Sequence, residues 1–430
     1  MLNPDYIRNN PNEVRESAKH RNMDAALVDK FLKADEKWRE AIQGIEALRA
    51  EKNKLGKEDR EKAKKLKDRE KNISDTVKKL EEERAFLLEQ IPNVIAPDVP
   101  VGKDDSDNKP LRNWGKPKKF DFKPRDHMEL GESLGIIDTE KSARISGARF
   151  NYLMGDAALL QLALIQFAFR TLTDREIIGK LAKSVDNPSD TPFIPVIPPV
   201  IAKSEIMKKM DRFDPIDDRY YLEKDDSLLI GSAEHTLGPL HMNEVLDEKV
   251  LPIRYVGYST AFRREAGTYG KDTLGIFRRH QFDKVEMESF STPENGDAEQ
   301  RLMVAIQEYF MRELEIPYQV VAISTGDMGK PDYRQLDIES WIPSQKKYRE
   351  THTSDYMTDY QARRLNIRYK KKGGEKEIVH MNDATAVAIG RTLIAILENY
   401  QTEDGSVEVP KVLEKYVGKK KIERPKARKS

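Results

Sequence analysis

The sequence predicts an α+β protein, with an N-terminal antiparallel two-helix coiled-coil arm followed by a domain in which strands dominate and helices accompany them. Two observations lead to this prediction. Apolar residues in the first hundred or so positions recur at alternating spacings of three and four, the period of paired helices. From Phe193 to Tyr400, short runs rich in β-branched and aromatic residues follow one another between turn-forming residues, as in a sheet.

The arm is predicted between Leu27 and Ile91. Its first apolar stripe comprises Val28, Phe31, Trp38, Ile42, Ile45, Leu48 and Leu55, and its second comprises Leu66, Ile73, Val77, Leu80, Leu87 and Ile91. Charged residues, Asp35 among them, interrupt the stripes. A break at Gly56 separates the two stripes, so each stripe should belong to its own helix. The two helices should pair as an antiparallel hairpin that extends roughly 40 to 50 Å.

Three parts of the chain differ in composition. Residues 1–117 hold the arm and a linker with Pro, Gly and polar residues after the second helix. Residues 118–418 are expected to form the main domain. Residues 419–430 carry seven basic residues in twelve and are expected to be a disordered tail.

Several elements of the main domain can be predicted individually. Ile145 to Leu153 is expected to be a strand and Asp156 to Thr171 a mostly buried helix. Further helices are predicted near Glu299 to Leu314 and Ala384 to Asn399. Phe193 to Ile201 is an apolar strand interrupted by prolines, which bar a central position in a sheet, so it should lie at an edge or an interface.

Composition excludes several classes of protein. The 430 residues are 35% charged, yet the net charge is only +1, so any nucleic-acid binding must depend on local patches. The chain has no cysteine, which rules out disulfides and thiolate zinc sites, and we expect no zinc. No apolar run reaches the roughly 18 residues of a membrane span, and the N-terminus lacks an apolar signal core, so a cytoplasmic location is expected.

The most informative stretch joins two predicted strands, 253–262 and 277–290, through a Gly-rich turn. It carries in order Arg263, Glu265, Arg278, Phe282 and Glu286. A guanidinium can donate two parallel hydrogen bonds to a phosphate, and an aromatic ring offers a flat face to a purine. Carboxylates can accept from an exocyclic amine or from a small polar substrate. An isolated Arg-x-Glu is typical of a solvated hairpin, so the inference depends on the whole string.

This stretch resembles motif 2 of class II aminoacyl-tRNA synthetases, in the form found in seryl-tRNA synthetases. The Pro-rich strand resembles motif 1, with Pro199 as its proline, and the segments around Glu350 and Arg391 resemble the family's later motifs in the same order. The similarity runs from Met1 to about Tyr416. It implies a class II catalytic domain built on a mostly antiparallel β-sheet flanked by helices, and a homodimer built through motif 1.

The resemblance also implies an activity in protein biosynthesis. Members of this family are ligases that activate L-serine with ATP to seryl-adenylate, in the presence of Mg²⁺. They then transfer serine to the 3′ end of tRNA-Ser, and the sequence leaves tRNA-Sec open as a second acceptor.

The resemblance assigns the catalytic arginines and the nucleotide contacts. It implies that Arg263 holds the α-phosphate of ATP, that Glu265 accepts from the adenine amino group, and that Arg278 meets the terminal phosphates. It places the adenine between the ring of Phe282 and the guanidinium of Arg391. Such stacking combines apolar contact with cation–π attraction.

The segment from Glu350 to Thr353 is implied in metal and ATP binding. Glu350 and Thr353 would hold the Mg²⁺ that bridges the phosphates, because hard oxygen ligands suit this ion. Thr351 and His352 would be further ATP contacts. Serines usually stand near here in the family, so His352 and the nearby Asp355 are departures from its pattern.

The serine pocket is implied at five positions: Ser232, Ala233, Glu234, Glu286 and Thr385. Glu286 and Thr385 would bind the substrate hydroxyl, while the anions would face its ammonium group. If alanine were bound in place of serine, these polar groups would be left unpaired, and this penalty discriminates strongly between the two amino acids. Ser232 replaces a usual Thr, and Asp383 replaces a usual Asn near the pocket.

The arm is implied in tRNA binding, with contacts expected at Lys57, Lys62, Lys64 and Lys65 near its tip. A basic rod can recognise the shape and phosphates of an RNA stem without reading its sequence. A solvated hairpin that serves only for spacing or dimerisation is the alternative.

Two other functions are compatible with parts of the sequence. A paralogue that passes an activated amino acid to a carrier protein would lack the arm and use a zinc pocket with a Cys ligand. A catalytically impaired paralogue could act as an RNA-binding or scaffold protein. Retention of the arginines and Glu265 argues against the second, because such costly charges are lost early when a site decays.

Overall fold

The computed structural model describes residues 1–55, 59–266 and 275–424. Its helices are α1 (Pro4–Asn9), α2 (Pro11–His20), α3 (Ala26–Lys52), α4 (Arg60–Gln90), α5 (His127–Leu134), α6 (Glu140–Ser146), α7 (Asp156–Leu172), α8 (Arg175–Ser184), α9 (Ser204–Lys209), α10 (Glu234–Leu237), α11 (Gly296–Glu313), α12 (Tyr360–Leu365), α13 (Ile389–Asn399) and α14 (Lys411–Val417). Its strands are β1 (Lys109–Trp114), β2 (Ile137–Asp138), β3 (Tyr152–Leu153), β4 (Ile194–Val196), β5 (Ile201–Lys203), β6 (Tyr221–Leu222), β7 (Ser227–Leu229), β8 (Val245–Asp247), β9 (Ile253–Phe262), β10 (Gln281–Ser291), β11 (Tyr318–Ala322), β12 (Arg334–Ile342), β13 (Lys347–Thr358), β14 (Arg368–Lys370), β15 (Lys376–Ile378), β16 (His380–Ala388), β17 (Val407–Glu408) and β18 (Lys421–Ile422). The predicted α+β class is confirmed.

Helices α3 and α4 pair along their length and form the predicted N-terminal arm. Across the pair, Glu70 accepts hydrogen bonds from Arg49 (2.8 Å) and Lys52 (3.0 Å). The apolar side chains buried in the outer part of its seam are Ile45, Leu48, Leu66 and Val77. Because a two-helix rod buries little more than its own seam, the other side chains of this part remain largely exposed.

The basic residues expected near the tip of the arm are exposed where the structure describes them. Lys62, Lys64 and Lys65 lie on the first turns of α4, and Lys62 Nζ is 3.7 Å from Glu51 Oε1. Lys57 lies outside the described residues.

The base of the arm is organised by a buried carboxylate. Asp35 accepts hydrogen bonds from Arg8 (2.7 Å), Arg39 (3.1 Å) and Arg84 (2.6 Å), which come from α1, α3 and α4. Burial alone would raise the pKa of Asp35, but the bonds from Arg84 and Arg8 hold it below its ordinary value. The charge that interrupts the apolar stripe in the sequence therefore joins three helices.

The same base is attached to the main domain by buried contacts. The hydroxyl of Tyr360 donates to the carbonyl of Ile91 (2.8 Å), and the amide of Asn93 donates to the carbonyl of Met357 (2.9 Å). Arg21, which is also buried, donates to the carbonyl of Gly329 (2.7 Å). The outer part of the arm takes no part in these contacts.

The main domain is built on an eight-stranded sheet with the order β1-β11-β12-β13-β16-β10-β9-β4. Neighbouring strands are antiparallel except for β4, which runs parallel to β9 at one edge. Helices α7, α11 and α13 pack against this sheet and share its main apolar core. In the part of the chain that the structure describes, no helix is long and apolar enough to span a membrane.

Three predicted elements differ from the structure. Residues 384–388 belong to strand β16, and the helix expected there begins at Ile389. A central strand buried on both faces is as uniformly apolar as a buried helix, so periodicity could not separate the two. Residues 145–153 were expected to be a strand, but α6 extends to Ser146 and only Tyr152–Leu153 is extended. Strand β10 begins at Gln281, four positions later than expected.

Both ends of the main domain also differ from expectation. Residues 109–114, expected in the linker, form edge strand β1 and pair with β11, so the sheet begins before the predicted boundary at residue 118. Part of the expected disordered tail is ordered, because β18 pairs with β17 and Ile422 is fully buried. Lys419 Nζ also lies 2.7 Å from Asp156 Oδ1. Residues 425–430 lie outside the described part of the chain.

Candidate active site

A cavity of about 380 Å³ lies over the central strands β9, β10, β16 and β13. The predicted site residues that line it are Glu234, Arg263, Glu265, Arg278, Phe282, Glu286, Glu350, Thr351, Thr353, Thr385 and Arg391. The structure therefore brings together residues that are up to 157 positions apart in the sequence, from Glu234 to Arg391. Ser232, Ala233 and His352 are buried beside the cavity without lining it.

Arg263 stands just beyond the end of β9 and is fixed from both sides. Its backbone nitrogen donates to the carbonyl of His280 (3.0 Å), and its Nε donates to the carbonyl of Gly231 (3.2 Å). Its guanidinium carbon lies 5.4 Å from the centroid of the Phe282 ring. Arg263 thus presents its remaining donors to the cavity beside an aromatic face.

Glu265 and Arg278, which both line the cavity, form an ion pair. Arg278 Nη1 donates to Glu265 Oε2 at 3.2 Å. Glu265 has a φ of +52°, a left-handed conformation that is uncommon for a residue with a Cβ. The segment between them includes residues 267–274, which lie outside the described part of the chain.

Arg391 lies in the first turn of α13 and pairs with a carboxylate of β13. Its Nη1 donates to Glu350 Oε1, and its guanidinium lies 4.8 Å from the centroid of the Phe277 ring. Burial alone would raise the pKa of Glu350, but Arg391 holds it below its ordinary value. Arg263 covers Phe282, whereas Arg391 covers Phe277, a ring that the sequence analysis did not single out.

A β-bulge brings Glu350 and Thr353 to the same face of the sheet. Residues three apart on a regular strand point to opposite faces. Here Ile338 pairs with His352 and Glu339 pairs with Glu350, so Thr351 is an extra residue of β13 without a partner on β12. The alternation of side chains between the two faces of the sheet therefore shifts by one residue at this point. Thr353 Oγ1 consequently lies 3.5 Å from Glu350 Oε1.

The same bulge turns His352 away from the cavity. His352 is 1% exposed, and its Nδ1 lies 2.9 Å from Thr351 Oγ1, which in turn donates to the carbonyl of Ile338 (3.2 Å). Burial lowers the pKa of His352 to about 3, so the ring is neutral near pH 7. The expected ATP contact of the His352 side chain finds no support in this geometry.

Glu286 and Thr385 are direct neighbours across strands β10 and β16. A second bulge sets their register, because Val285 pairs with Val387 while Glu286 pairs with Thr385. Glu286 is 2% exposed, and its Oε2 lies 2.6 Å from Lys284 Nζ. Burial raises the pKa of Glu286 in spite of this cation. The pair forms a small polar patch with a carboxylate and a hydroxyl side by side.

The loop before α10 brings Glu234 into the cavity. Ser232 Oγ accepts from the backbone nitrogen of Glu234 (3.2 Å), so this hydroxyl orders the loop. Arg212 Nε donates to Glu234 Oε1 at 2.9 Å. Burial alone would raise the pKa of Glu234, but Arg212 holds it at about 2. Glu234 is therefore ionised, whereas the neighbouring His235 has a pKa lowered by burial to about 3 and is neutral.

A row of buried acids lies beyond the Glu286–Thr385 pair, and two of them, Asp355 and Asp383, line the cavity. Asp383 on β16 is the cross-strand neighbour of Glu288 on β10 and of Asp355 on β13. Burial raises the pKa of all three well above the ordinary value. The sequence analysis noted Asp383 and Asp355 only as departures from a family pattern. Their spacing of two from Thr385 and Thr353 is the signal that could have placed them on one face.

Comparisons with known protein families agree with this geometry. The "Seryl-tRNA synthetase N-terminal domain" family matches residues 1–95, and the "tRNA synthetase class II core domain (G, H, P, S and T)" family matches residues 219–400. A serine–tRNA ligase from Acidothermus cellulolyticus is 42% identical over 432 residues, covering 97% of this chain and 98% of that protein.

Solved structures extend the similarity to the whole architecture. The seryl-tRNA synthetase of Pyrococcus horikoshii, crystallised with ATP, superposes with a TM-score of 0.91 at 38% identity and covers 99% of this chain and 100% of that one. The cytoplasmic serine–tRNA ligase of Naegleria fowleri, solved with AMP, gives 0.87 at 34% identity, with 98% and 97% covered. The chain, with its helical arm and its class II core, belongs to the seryl-tRNA synthetase family.

Proposed function

We propose that this chain is an ATP-dependent serine–tRNA ligase. One observation carries the proposal: a single cavity holds a cationic, aromatic end around Arg263 and Phe282 and a small polar patch formed by Glu286 and Thr385. The first end suits a nucleotide and the second suits a short side chain that ends in a hydroxyl. The relatives named above are serine–tRNA ligases, and they match this chain over nearly their full length. This similarity supports the same reaction.

In the first step, the serine carboxylate attacks the α-phosphorus of ATP in line, a new P–O bond forms, and the bond to pyrophosphate breaks. No protein side chain forms a covalent bond. Arg263, Arg278 and Arg391 serve this step by orienting the phosphates and by opposing the charge that builds up on them. Arg391 and Arg278 are paired with Glu350 and Glu265, so nucleotide binding competes with, or rearranges, these ion pairs.

In the second step, a hydroxyl of the terminal tRNA ribose attacks the carbonyl carbon of seryl-adenylate, and AMP leaves. The ordered loop from Gly231 to Glu234 and the Glu286–Thr385 pair would hold the seryl group during this transfer. This step again depends on positioning, because both reactants are brought to one cavity.

Glu350 and Thr353 fit the proposed Mg²⁺ site. Their oxygens lie 3.5 Å apart on one face of the sheet, and one or two protein oxygens suffice for an ion that keeps several waters and phosphate ligands. Mg²⁺, when bound, neutralises charge on the phosphates. Among the described residues there is no group of three or more His, Asp or Glu side chains arranged to hold a metal alone.

The amino-acid end of the cavity can be tested through Glu286. We expect Glu286→Ala to raise the KM for serine by about tenfold or more, because a hydrogen bond to a buried carboxyl group is lost. The preference for serine over alanine should narrow, since alanine lacks the hydroxyl that Glu286 is proposed to bind. Pyrophosphate exchange with each amino acid measures both effects.

The matched control for that variant is Glu313→Ala at the exposed end of α11. Glu286→Gln keeps the size of the side chain and shows whether loss of the Lys284 partner is responsible. An unchanged ratio of serine to alanine activation in Glu286→Ala would place the pocket elsewhere.

We further propose that the protein is a homodimer whose interface includes edge strand β4 and helix α7. Ile194, Ile197 and Ile201 are 49%, 75% and 49% exposed, and Leu162 on α7 is 54% exposed. Several large apolar side chains exposed at a sheet edge favour burial against a second copy.

We expect light scattering to give twice the chain mass of 49.5 kDa at micromolar concentration. The double variant Ile197→Asp with Leu162→Asp should be monomeric, because two charges would be buried in the interface. Leu111→Asp is the control, since Leu111 is 54% exposed on β1 at the opposite edge of the sheet. A wild-type mass of one chain would contradict the dimer.

The function itself is tested by ATP–pyrophosphate exchange with serine, threonine and alanine, followed by charging of tRNA-Ser. Serine-dependent exchange and charging are the expected results. Tight tRNA binding without exchange would favour a catalytically impaired paralogue. We also propose tRNA-Ser as the partner of the arm, and a cytoplasmic location remains a prediction.

A further inference from the structure

Arg212 is a charged residue of the cavity that the sequence analysis did not identify. It lies between α9 and β6, and its side chain is 18% exposed. Its Nε donates to Glu234 Oε1 at 2.9 Å, and Gln361 Nε2 donates to the same oxygen at 3.3 Å. Glu234 Oε2 lies 3.9 Å from His235 Nε2. Both hydrogen bonds therefore hold Glu234 by one oxygen.

More carboxyl groups than basic side chains interact with Glu234. The carboxyl groups that interact with it are Glu286, Glu288, Asp332, Asp355 and Asp383. The basic side chains that interact with it are Arg212, Lys284 and Arg219. Lys284 is paired with Glu286 at 2.6 Å, and Arg219 donates to the carbonyl of Arg212.

His235 does not supply a positive charge there. Its Nδ1 accepts a hydrogen bond from the backbone nitrogen of Gly231 at 3.1 Å, which requires an unprotonated nitrogen at that position. Arg212 is thus the cation hydrogen-bonded to Glu234 among the described residues. Burial favours the neutral form of a carboxyl group, so removal of this cation would favour protonation of Glu234.

We propose that Arg212 is a positioning residue for amino-acid binding, which rests on the serine activation proposed above. It holds Glu234 through Oε1 and keeps it ionised, so that Oε2 is directed to accept from the α-ammonium group of serine. Arg212 itself does not contact the substrate. Gln361 supports the same orientation from α12.

The test is the pH dependence of the KM for serine in pyrophosphate exchange, measured between about pH 6 and 8 in the full-length protein. In the wild type, Glu234 is ionised throughout, so its protonation does not contribute. In Arg212→Met, the pKa of Glu234 is expected to rise, and serine binding should weaken as the pH falls. At pH values below that raised pKa, the KM should fall about tenfold for each unit of pH increase.

Arg212→Lys keeps the charge, so its KM for serine should not depend on pH. Arg212→Gln serves as a second neutral variant if Arg212→Met does not fold. The KM for ATP should stay within about twofold of the wild type, because Arg212 is hydrogen-bonded to Glu234 of the proposed serine pocket and not to a proposed ATP contact. Arg334→Met removes an arginine that pairs with Asp297 outside the cavity and should not show the profile.

A double variant identifies the route of the effect. Glu234→Gln should raise the KM for serine without a pH dependence, and adding Arg212→Met should change it no further, because the two residues act as one unit. A KM in the neutral Arg212 variants that equals the wild-type value, or that is raised equally at every pH, would overturn the inference. Failure of serine activation in the wild type would instead contradict the proposed function.

Discussion

Replacing Arg263 or Arg391 with alanine is expected to lower serine-dependent pyrophosphate exchange by about 10²-fold or more, as for other preorganised donors to a developing charge. Arg263 is held by two backbone carbonyls and an aromatic ring, so its donors are oriented before the nucleotide binds. Such orientation costs nothing further at the moment of reaction, which is why its loss should appear mainly in the rate of the chemical step.

The two variants should differ in one respect. Arg391→Ala leaves Glu350 without its ion-pair partner inside the cavity, and an unpaired carboxylate there would repel the phosphates. Arg263→Ala removes a cation that has no carboxylate among its described hydrogen-bond partners. We therefore expect the KM for ATP to rise more in Arg391→Ala than in Arg263→Ala.

Arg175→Ala is the matched control for both, because Arg175 is 64% exposed and pairs with the exposed Asp190 away from the cavity. Its exchange rate should stay within about twofold of the wild type, as is usual for exposed ion pairs. Near wild-type exchange in both Arg263→Ala and Arg391→Ala would contradict the assignment of this cavity as the active site.

Part of this site could be predicted because Arg263, Glu265, Arg278, Phe282 and Glu286 lie close together in the sequence. Strand β9 was predicted with both of its ends correct, and the string of residues from Arg263 to Glu286 as a whole resembles a known family motif. The arm was also predictable, since a heptad-like stripe is a local signal that does not depend on distant contacts.

The parts of the site that could not be predicted depend on strand register and on long-range contacts. Spacing alone predicts that Glu350 and Thr353 face opposite sides of β13, and only the bulge at Thr351 brings them together. The same bulge removes the His352 side chain from the cavity. Arg212 gave no signal, because its role arises from a carboxylate 22 positions away and from a row of acids on three strands.

The arm was predicted as a separate unit, and the structure indicates which part of it can be deleted. Its base is fixed by Asp35, Arg84 and the buried contacts of Ile91 with Tyr360. The outer part has only its own seam. A variant that deletes residues 43–76 and joins Ile42 to Val77 by a short Gly-containing turn would keep the base and shorten both helices together.

We expect that variant to keep serine-dependent pyrophosphate exchange within about twofold of the wild type, because the described residues that line the cavity all lie outside the arm. Charging of tRNA-Ser should fall on the order of 10³-fold, since several phosphate contacts far from the chemistry would be lost together. Both activities are to be measured on the same preparation, so that a folding defect would lower exchange as well as charging.

The triple variant Lys62→Glu, Lys64→Glu and Lys65→Glu separates the charge of the arm from its length. These side chains are exposed at the start of α4, so the helices should remain paired. Charging should weaken less than in the deletion, and tRNA binding should depend less steeply on salt, because fewer counterions are released when fewer phosphates are neutralised. If the deletion variant charges tRNA at the wild-type rate, the arm is a spacer or an assembly element, and RNA recognition must lie on the main domain.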